Sequence, residues 1–146
     1  MKIGFASDHR GYQLKKELIE ELKDSYEIVD FGTNSTESTD YPDYAFKLGE
    51  AINNKVVDYG VAICGSGIGI SIACNKVKGI RCAKVSNIEE VIATRIDNDS
   101  NVIAFGEKMP FETAIELIKT FVETETSNEE KHVRRRNKIK EYEENN

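Results

Sequence analysis

The stretch Val61-Ala-Ile-Cys-Gly-Ser-Gly-Ile-Gly-Ile70 decides how the rest of this 146-residue chain is read. An apolar run from Tyr59 to Ile63 stops at a cysteine, and glycines then alternate with Ser66 and Ile68. A short β-branched run that ends in glycines predicts a buried strand opening into a tight turn. Helical spacing resumes through Ile70, Ile72, Ala73 and Val77, so a helix begins where the glycines stop and runs to about Lys78. Cys64 is thereby placed at the carboxyl end of a strand, just ahead of a helix N-terminus. In an open α/β sheet ligands bind at that edge.

Two chemical consequences follow. The backbone N–H groups of Gly65 to Gly69 can converge on one space, a nest suited to an oxyanion or a phosphate. The helix N-terminus favours thiolate over thiol, which makes Cys64 usable as a base or a nucleophile. A cysteine in this position can equally be one more small buried apolar residue. Three familiar loops are excluded. A dinucleotide fingerprint needs glycine where Ile70 stands, a Walker loop needs a following Gly-Lys-Ser/Thr, and a hydrolase elbow needs glycine where Ala62 stands.

Working outward, Lys2 to Ser7 reads as the first strand, with Asp8-His9-Arg10-Gly11 beyond its carboxyl end. Leu14, Leu18, Ile19 and Leu22 keep helical spacing after it. Glu27 to Phe31 is a second strand, Gly32 to Thr39 a polar loop, and Asp40-Tyr-Pro-Asp43 opens a helix, with Pro42 suited to a first turn. Ala45, Leu48, Gly49 and Ile52 mark that helix's inner face. Past the glycine turn, Ile80 to Val85 is a fourth strand, and Ser86-x-x-Glu89 is a capping-box pattern for a helix to about Ile96. Asn101 to Phe105 is a fifth strand, and Pro110 opens a helix to about Glu123. Strands alternating with helices of this length predict parallel βαβ units with right-handed crossovers. The fold class is therefore α/β: a three-layer α/β/α sandwich on a five-stranded parallel Rossmann-like sheet, with an extra C-terminal helix.

Composition narrows the function classes. A hydrophobic share of 39% and a charged share of 32% fit a single globular domain. A net charge of −6 argues against a nucleic-acid partner. No apolar run approaches about 18 residues, so no membrane partner is expected, and the N-terminus lacks a signal peptide's pattern. A cytoplasmic protein is expected. Cys64, Cys74 and Cys82 form no C-x-x-C pair, and with only His9 and His132 besides, neither a disulfide framework nor a metal site is expected.

Composition shifts at Thr124, which divides residues 1–123, an α/β domain, from residues 124–146, a helical extension of that domain. Ser127-x-x-Glu130 can cap the extension. Val133, Ile139 and Tyr142 are too sparse to anchor it on its own core, so a second subunit is expected to cover it. Lys131 and Arg135, four apart, share one face within roughly 6 Å at Cβ and can hold a phosphate, or form a solvated charged surface.

Sheet geometry gathers Asp8-His9, Gly32-Thr33, Cys64-Gly-Ser66, Ser86 and Gly106-Glu107-Lys108 on one edge. A carboxylate, an imidazole, a thiol, a hydroxyl and an amide nest suit proton transfer on a small anionic substrate. Alone, His9 is more often structural, and Asp8 and Asp43 can be turn or cap residues. Ser7-Asp-His-Arg-Gly11, Asp40-Tyr-Pro-Asp-Tyr-Ala45, Cys64-Gly-Ser-Gly-Ile-Gly-Ile-Ser-Ile-Ala-Cys-Asn-Lys76 and Arg95-Ile-Asp-Asn-Asp-Ser-Asn-Val102 together resemble the type B ribose-5-phosphate isomerase family, which includes the galactose-6-phosphate isomerase subunits. The resemblance covers nearly the whole chain.

It implies a metal-free, cofactor-free aldose–ketose isomerase acting on a small phosphosugar, a homodimer with each site drawing on both subunits. By matching position, Cys64 would be the base and Ser66 would hydrogen-bond the reacting oxygens. The backbone of Gly65, Gly67, Ile68 and Gly69 would stabilise the enediolate. Asp8, Tyr41 and Asp43 match residues that bind sugar hydroxyls or shuttle protons, His9, Lys131 and Arg135 match the phosphate grip, and Asn98 and Lys108 match positions reaching a neighbouring subunit's site. Asp97 stands where family members carry the histidine assigned to ring opening. An ordinary aspartate is a poor acid near neutrality. Either burial favours its protonated form, or Asp8 or Asp43 supplies the acid, or the sugar is captured open. Lys108 and Lys131 replace common arginines, which keeps charge and gives up the bidentate fork. The expected reaction is ribose 5-phosphate to ribulose 5-phosphate. The alternatives are a six-carbon substrate (galactose 6-phosphate or allose 6-phosphate), a non-catalytic phosphosugar-binding protein, and a nucleic-acid-binding tail.

Overall fold

The computed structural model describes residues 1–146. The chain runs β1 (Lys2–Ser7), α1 (Tyr12–Leu22), β2 (Glu27–Asp30), α2 (Tyr41–Asn53), β3 (Tyr59–Cys64), α3 (Ile68–Asn75), β4 (Cys82–Lys84), α4 (Ile88–Asn98), β5 (Val102–Gly106), α5 (Phe111–Glu123) and α6 (Glu130–Glu144). All four strand pairings are parallel, in the order β2-β1-β3-β5-β4. The three-layer α/β sheet expected from the sequence is the architecture found. Because the chain steps outward from β1 to β2 and then returns to β3 on the other side, the carboxyl ends of β1 and β3 flank the switch point where α/β sheets leave a crevice.

The two faces of the sheet are built from different sizes of side chain. Strand alternation sends Ile3, Phe5, Val61, Ile63, Ile103 and Phe105 to one face, where they meet Leu14, Leu18, Leu117 and Phe121 of α1 and α5. The other face carries Ala6, Ala62, Cys64, Val102 and Ala104 beneath α2 and α3. Gly4 and Gly60 stand on neighbouring strands, and a Cβ on either would sit 2.7 Å or 2.9 Å from a Leu48 methyl, so their lack of side chains lets α2 seat directly on the sheet. Cys64 ends a row of small residues, and this thin layer brings the start of α3 down beside it.

Several element ends differ from the sequence reading. α3 stops at Asn75 because Lys76 and Val77 donate to carbonyls only three residues back, tightening the last turn, while the Asn75 side chain bonds both the N–H and the carbonyl of Cys82. The fourth strand is correspondingly Cys82–Lys84, since the Arg81 N–H goes to the Asn101 side chain instead of a ladder. The cap of α4 is Asn87, one residue later than expected: its side chain accepts from Glu90 N, and the Glu90 carboxylate returns to Ser86 N. Ser127 does not cap α6 either; its hydroxyl accepts the Glu129 N–H ahead of the helix. No residue of α6 is buried, and its length crosses the end of α4, with Arg136 donating to the carbonyls of Asp97 and Ser127.

Candidate active site

A cavity of about 420 Å³ opens at the carboxyl edge of the three central strands. The segment after β1 brings Asp8 and Arg10, the end of β3 and the turn into α3 bring Cys64, Gly65, Ser66 and Gly69, the start of α2 brings Tyr41, and the segment after β5 brings Lys108. Neighbouring strands β1, β3 and β5 thus deliver residues far apart in sequence, as the register Ser7 to Ile63 and Cys64 to Gly106 requires.

The base of the site is the turn between β3 and α3. Gly67 takes a left-handed conformation, φ +81°, and a Cβ there would meet the Phe105 carbonyl carbon at 2.6 Å. That turn aims the Gly67 N–H at Cys64 Sγ, 3.2 Å away, and the Ile68 N–H at Ser66 Oγ, 3.1 Å away. Cys64 belongs to the apolar core, at 4% exposure, and also lines the cavity. Burial in the core and a place on the cavity wall thus meet in one residue.

Asp8 is buried at 5% exposure, and its Oδ1 accepts the N–H groups of Arg10 and Gly11, so it closes a turn while its second oxygen has no protein donor. Asp8 is thus both turn residue and cavity wall. Its position is fixed from behind. Lys15, fully buried, pairs with Asp30 and donates to the Thr33 carbonyl at 2.7 Å, while Thr33 N bonds the carbonyl of Ser7 and Ser7 N that of Gly32. His9 stands beside the cavity with Nδ1 accepting the Thr39 N–H at 3.2 Å, which leaves Nε2 to carry the proton of the neutral ring. Gly67 and Ile68 belong to the same turn, Ile68 with its side chain 53% exposed. Asp43 lies exposed in the first turn of α2 and does not line the cavity.

The remaining residues named from sequence lie elsewhere in the protomer. α4 starts after β4 at the carboxyl edge and ends where the chain enters β5, so Asp97 and Asn98 occupy the opposite edge, a strand length or roughly 15 Å away. Lys131 and Arg135 project from α6 at that same far pole. Lys108 instead lines its own protomer's cavity. Asp97 is half-exposed, with its Oδ1 3.3 Å from Nε2 of His132, and is not buried within one protomer. Asn98 accepts from Thr94. Arg95 braces this pole: buried, it donates to the Thr124 and Ser100 carbonyls and pairs with Asp99.

Two members of the arrangement carry no signal in the sequence. Arg10 lies inside a quoted motif, and only the fold shows that its side chain turns over Gly65 into the cavity. His132 follows Lys131 directly, and its contact with Asp97 depends on how α6 crosses α4.

A family model described as Ribose/Galactose Isomerase matches residues 3–139. The chain is 43% identical to ribose-5-phosphate isomerase B of Escherichia coli, over 84% of this chain and 80% of that one. Among solved structures it is similar to Clostridium thermocellum ribose-5-phosphate isomerase B, with TM-score 0.94, 44% identity and 99% of each chain covered. The Mycoplasma genitalium ribose-5-phosphate isomerase B structure with bound ribulose-5-phosphate superposes with TM-score 0.90 and 34% identity, over 99% of this chain and 97% of that one.

Proposed function

The chain belongs to the ribose/galactose isomerase family, and on that premise we propose that it interconverts ribose 5-phosphate and ribulose 5-phosphate, with Cys64 as the base. The observation that supports Cys64 as the base is its place on the cavity wall, with the Gly67 N–H of the glycine turn donating to its Sγ.

The chemistry follows from that placement. The Cys64 thiolate takes the proton from C2 of the open-chain aldose, breaking C2–H and forming S–H, while negative charge passes to the carbonyl oxygen. Backbone donors in the Gly65–Gly69 turn and the Ser66 hydroxyl stabilise the enediolate, and donors already oriented toward developing charge are typically worth about 3 kcal/mol each. Return of the proton to C1, with exchange of hydroxyl protons between O1 and O2, gives the ketose. Asp8, Tyr41, His9 and Lys108 hold the sugar and its phosphate.

Residues of the far pole serve a second copy. Asp97, Asn98, Lys131 and Arg135 cannot reach the cavity of their own protomer, but a two-fold pair that sets one copy's far pole against the other's cavity makes two equal sites. The supporting observation is the separation of the two groups to opposite edges of one sheet.

Cys64→Ala tests the base directly. We expect turnover to fall by at least about a thousandfold with phosphosugar binding retained, and loss of hydrogen exchange at C2 in deuterated water. Full activity in that variant would end the assignment.

A further inference from the structure

We propose that Arg10 is a further phosphate-binding residue of this site, and that Glu107 is its built-in competitor in the free enzyme. The inference deepens the phosphosugar reading above and rests on it.

Arg10 lies in the cavity wall with its guanidinium flat against the backbone of Gly65, where an added Cβ would stand 2.9 Å from both Cζ and Nη1. Glycine at position 65 is therefore what makes room for the cation. Of the guanidinium's five N–H groups only Nε–H is engaged, donating to Glu107 Oε2 at 2.8 Å; Nη1 and Nη2 make no hydrogen bond within the protein. Glu107 is itself fixed, because its N–H donates to the carbonyl of Gly65 at 3.2 Å. Arg10 and Glu107 thus clasp the first residue of the turn from either side and bridge the segments after β1 and β5.

Charge explains which ligand this arrangement takes. The cavity wall carries Arg10 and Lys108 against Asp8, whose Oδ1 is already occupied by two backbone N–H groups. Lysine offers a point charge, whereas the free Nη pair of Arg10 offers the planar fork that grips a phosphate through two oxygens. Lys108, the sequence neighbour of Glu107, adds a second cation to the same wall, and His9, next to Arg10 in sequence, makes no hydrogen bond through Nε2. With no anion bound, Glu107 supplies the counter-charge. An incoming phosphate takes the Nη edge and competes with that carboxylate for the cation.

A tie between two surface loops would be worth little and would respond alike to loss of either partner. Competition responds with opposite signs. The test measures inhibition of the full-length enzyme by inorganic phosphate together with kcat and KM for ribose 5-phosphate. Arg10→Met should raise the phosphate inhibition constant and KM by about tenfold or more, leaving kcat within about threefold. Arg10→Lys, which keeps charge and loses the fork, should fall between it and the wild type. Glu107→Gln should tighten phosphate by about threefold, the effect of removing one half-exposed competing charge. The proposal is overturned if both substitutions weaken phosphate, if Arg10→Met affects kcat alone, or if it changes nothing. Calorimetric titration of phosphate into each protein separates the two levels of inference. A wild type that binds phosphate and turns over no phosphosugar defeats the isomerase reading, while the Arg10 assignment stands or falls on the titration.

Discussion

Gly67 and Cys64 form one functional unit through a single hydrogen bond. The left-handed backbone at Gly67 is what turns its N–H toward the sulfur, and the carbonyl carbon of Phe105 packs where a side chain would go. Gly67→Ala forces an L-residue into that conformation, costing about 1–2 kcal/mol, and sets a methyl against backbone that cannot move aside. We expect the thermal midpoint to drop and Cys64 to lose its oriented donor, so kcat should fall even in the folded fraction; a variant with unchanged stability would show that the turn relaxes freely. The sequence displayed the glycines and the cysteine in the right order, which was enough to place the turn. It did not display which glycine needs its positive φ, nor that Arg10 folds over Gly65, because side-chain direction after a strand depends on contacts from β5.

Periodicity carried most of the secondary structure at the level of elements, and ends were where it failed. The α4 cap fell at Asn87 because two hydrogen-bonding side chains stand side by side at Ser86 and Asn87, and only packing chooses between them. The α3–β4 junction departs from the periodicity for a related reason. Val77 and Ile80 look like a continuing pattern, yet Asn75 clamps Cys82 and shortens both elements. The same junction makes the fold alkali-sensitive. A hydrogen bond with Cys74, and then burial, hold the Cys82 thiol well above its ordinary value of 9.0. The folded state therefore keeps a proton that the unfolded chain releases, and this contribution is complete below pH 9.0 and lost as pH rises past it. Tyr26, raised by its desolvation and by Glu123, acts in the same direction above 10.0. The thermal midpoint should fall as pH rises from about 9 to about 11, and Cys82→Ala should flatten that fall; an equal slope in the variant would place the sensitivity elsewhere.

For the molecule as a whole, the division of the named residues between two poles yields a sharp test. A Cys64→Ala copy retains a sound far pole, and an Arg135→Ala copy retains a sound cavity. In the proposed two-fold pair, each variant alone has two damaged sites, whereas a mixed pair has one intact site and one doubly damaged. Random re-pairing of equal amounts should restore about a quarter of wild-type activity, and no recovery would mean that each protomer works alone. The distance of Asp97, Asn98, Lys131 and Arg135 from the cavity was not readable from the sequence, since sequence order says nothing about which edge a helix ends on.

That separation also bears on how catalysis scales with dilution. If a lone protomer never joins its own halves, an assay run well below the dissociation constant of the pair would find output per milligram declining with every further dilution, and excess product would slow the loss by holding partners together.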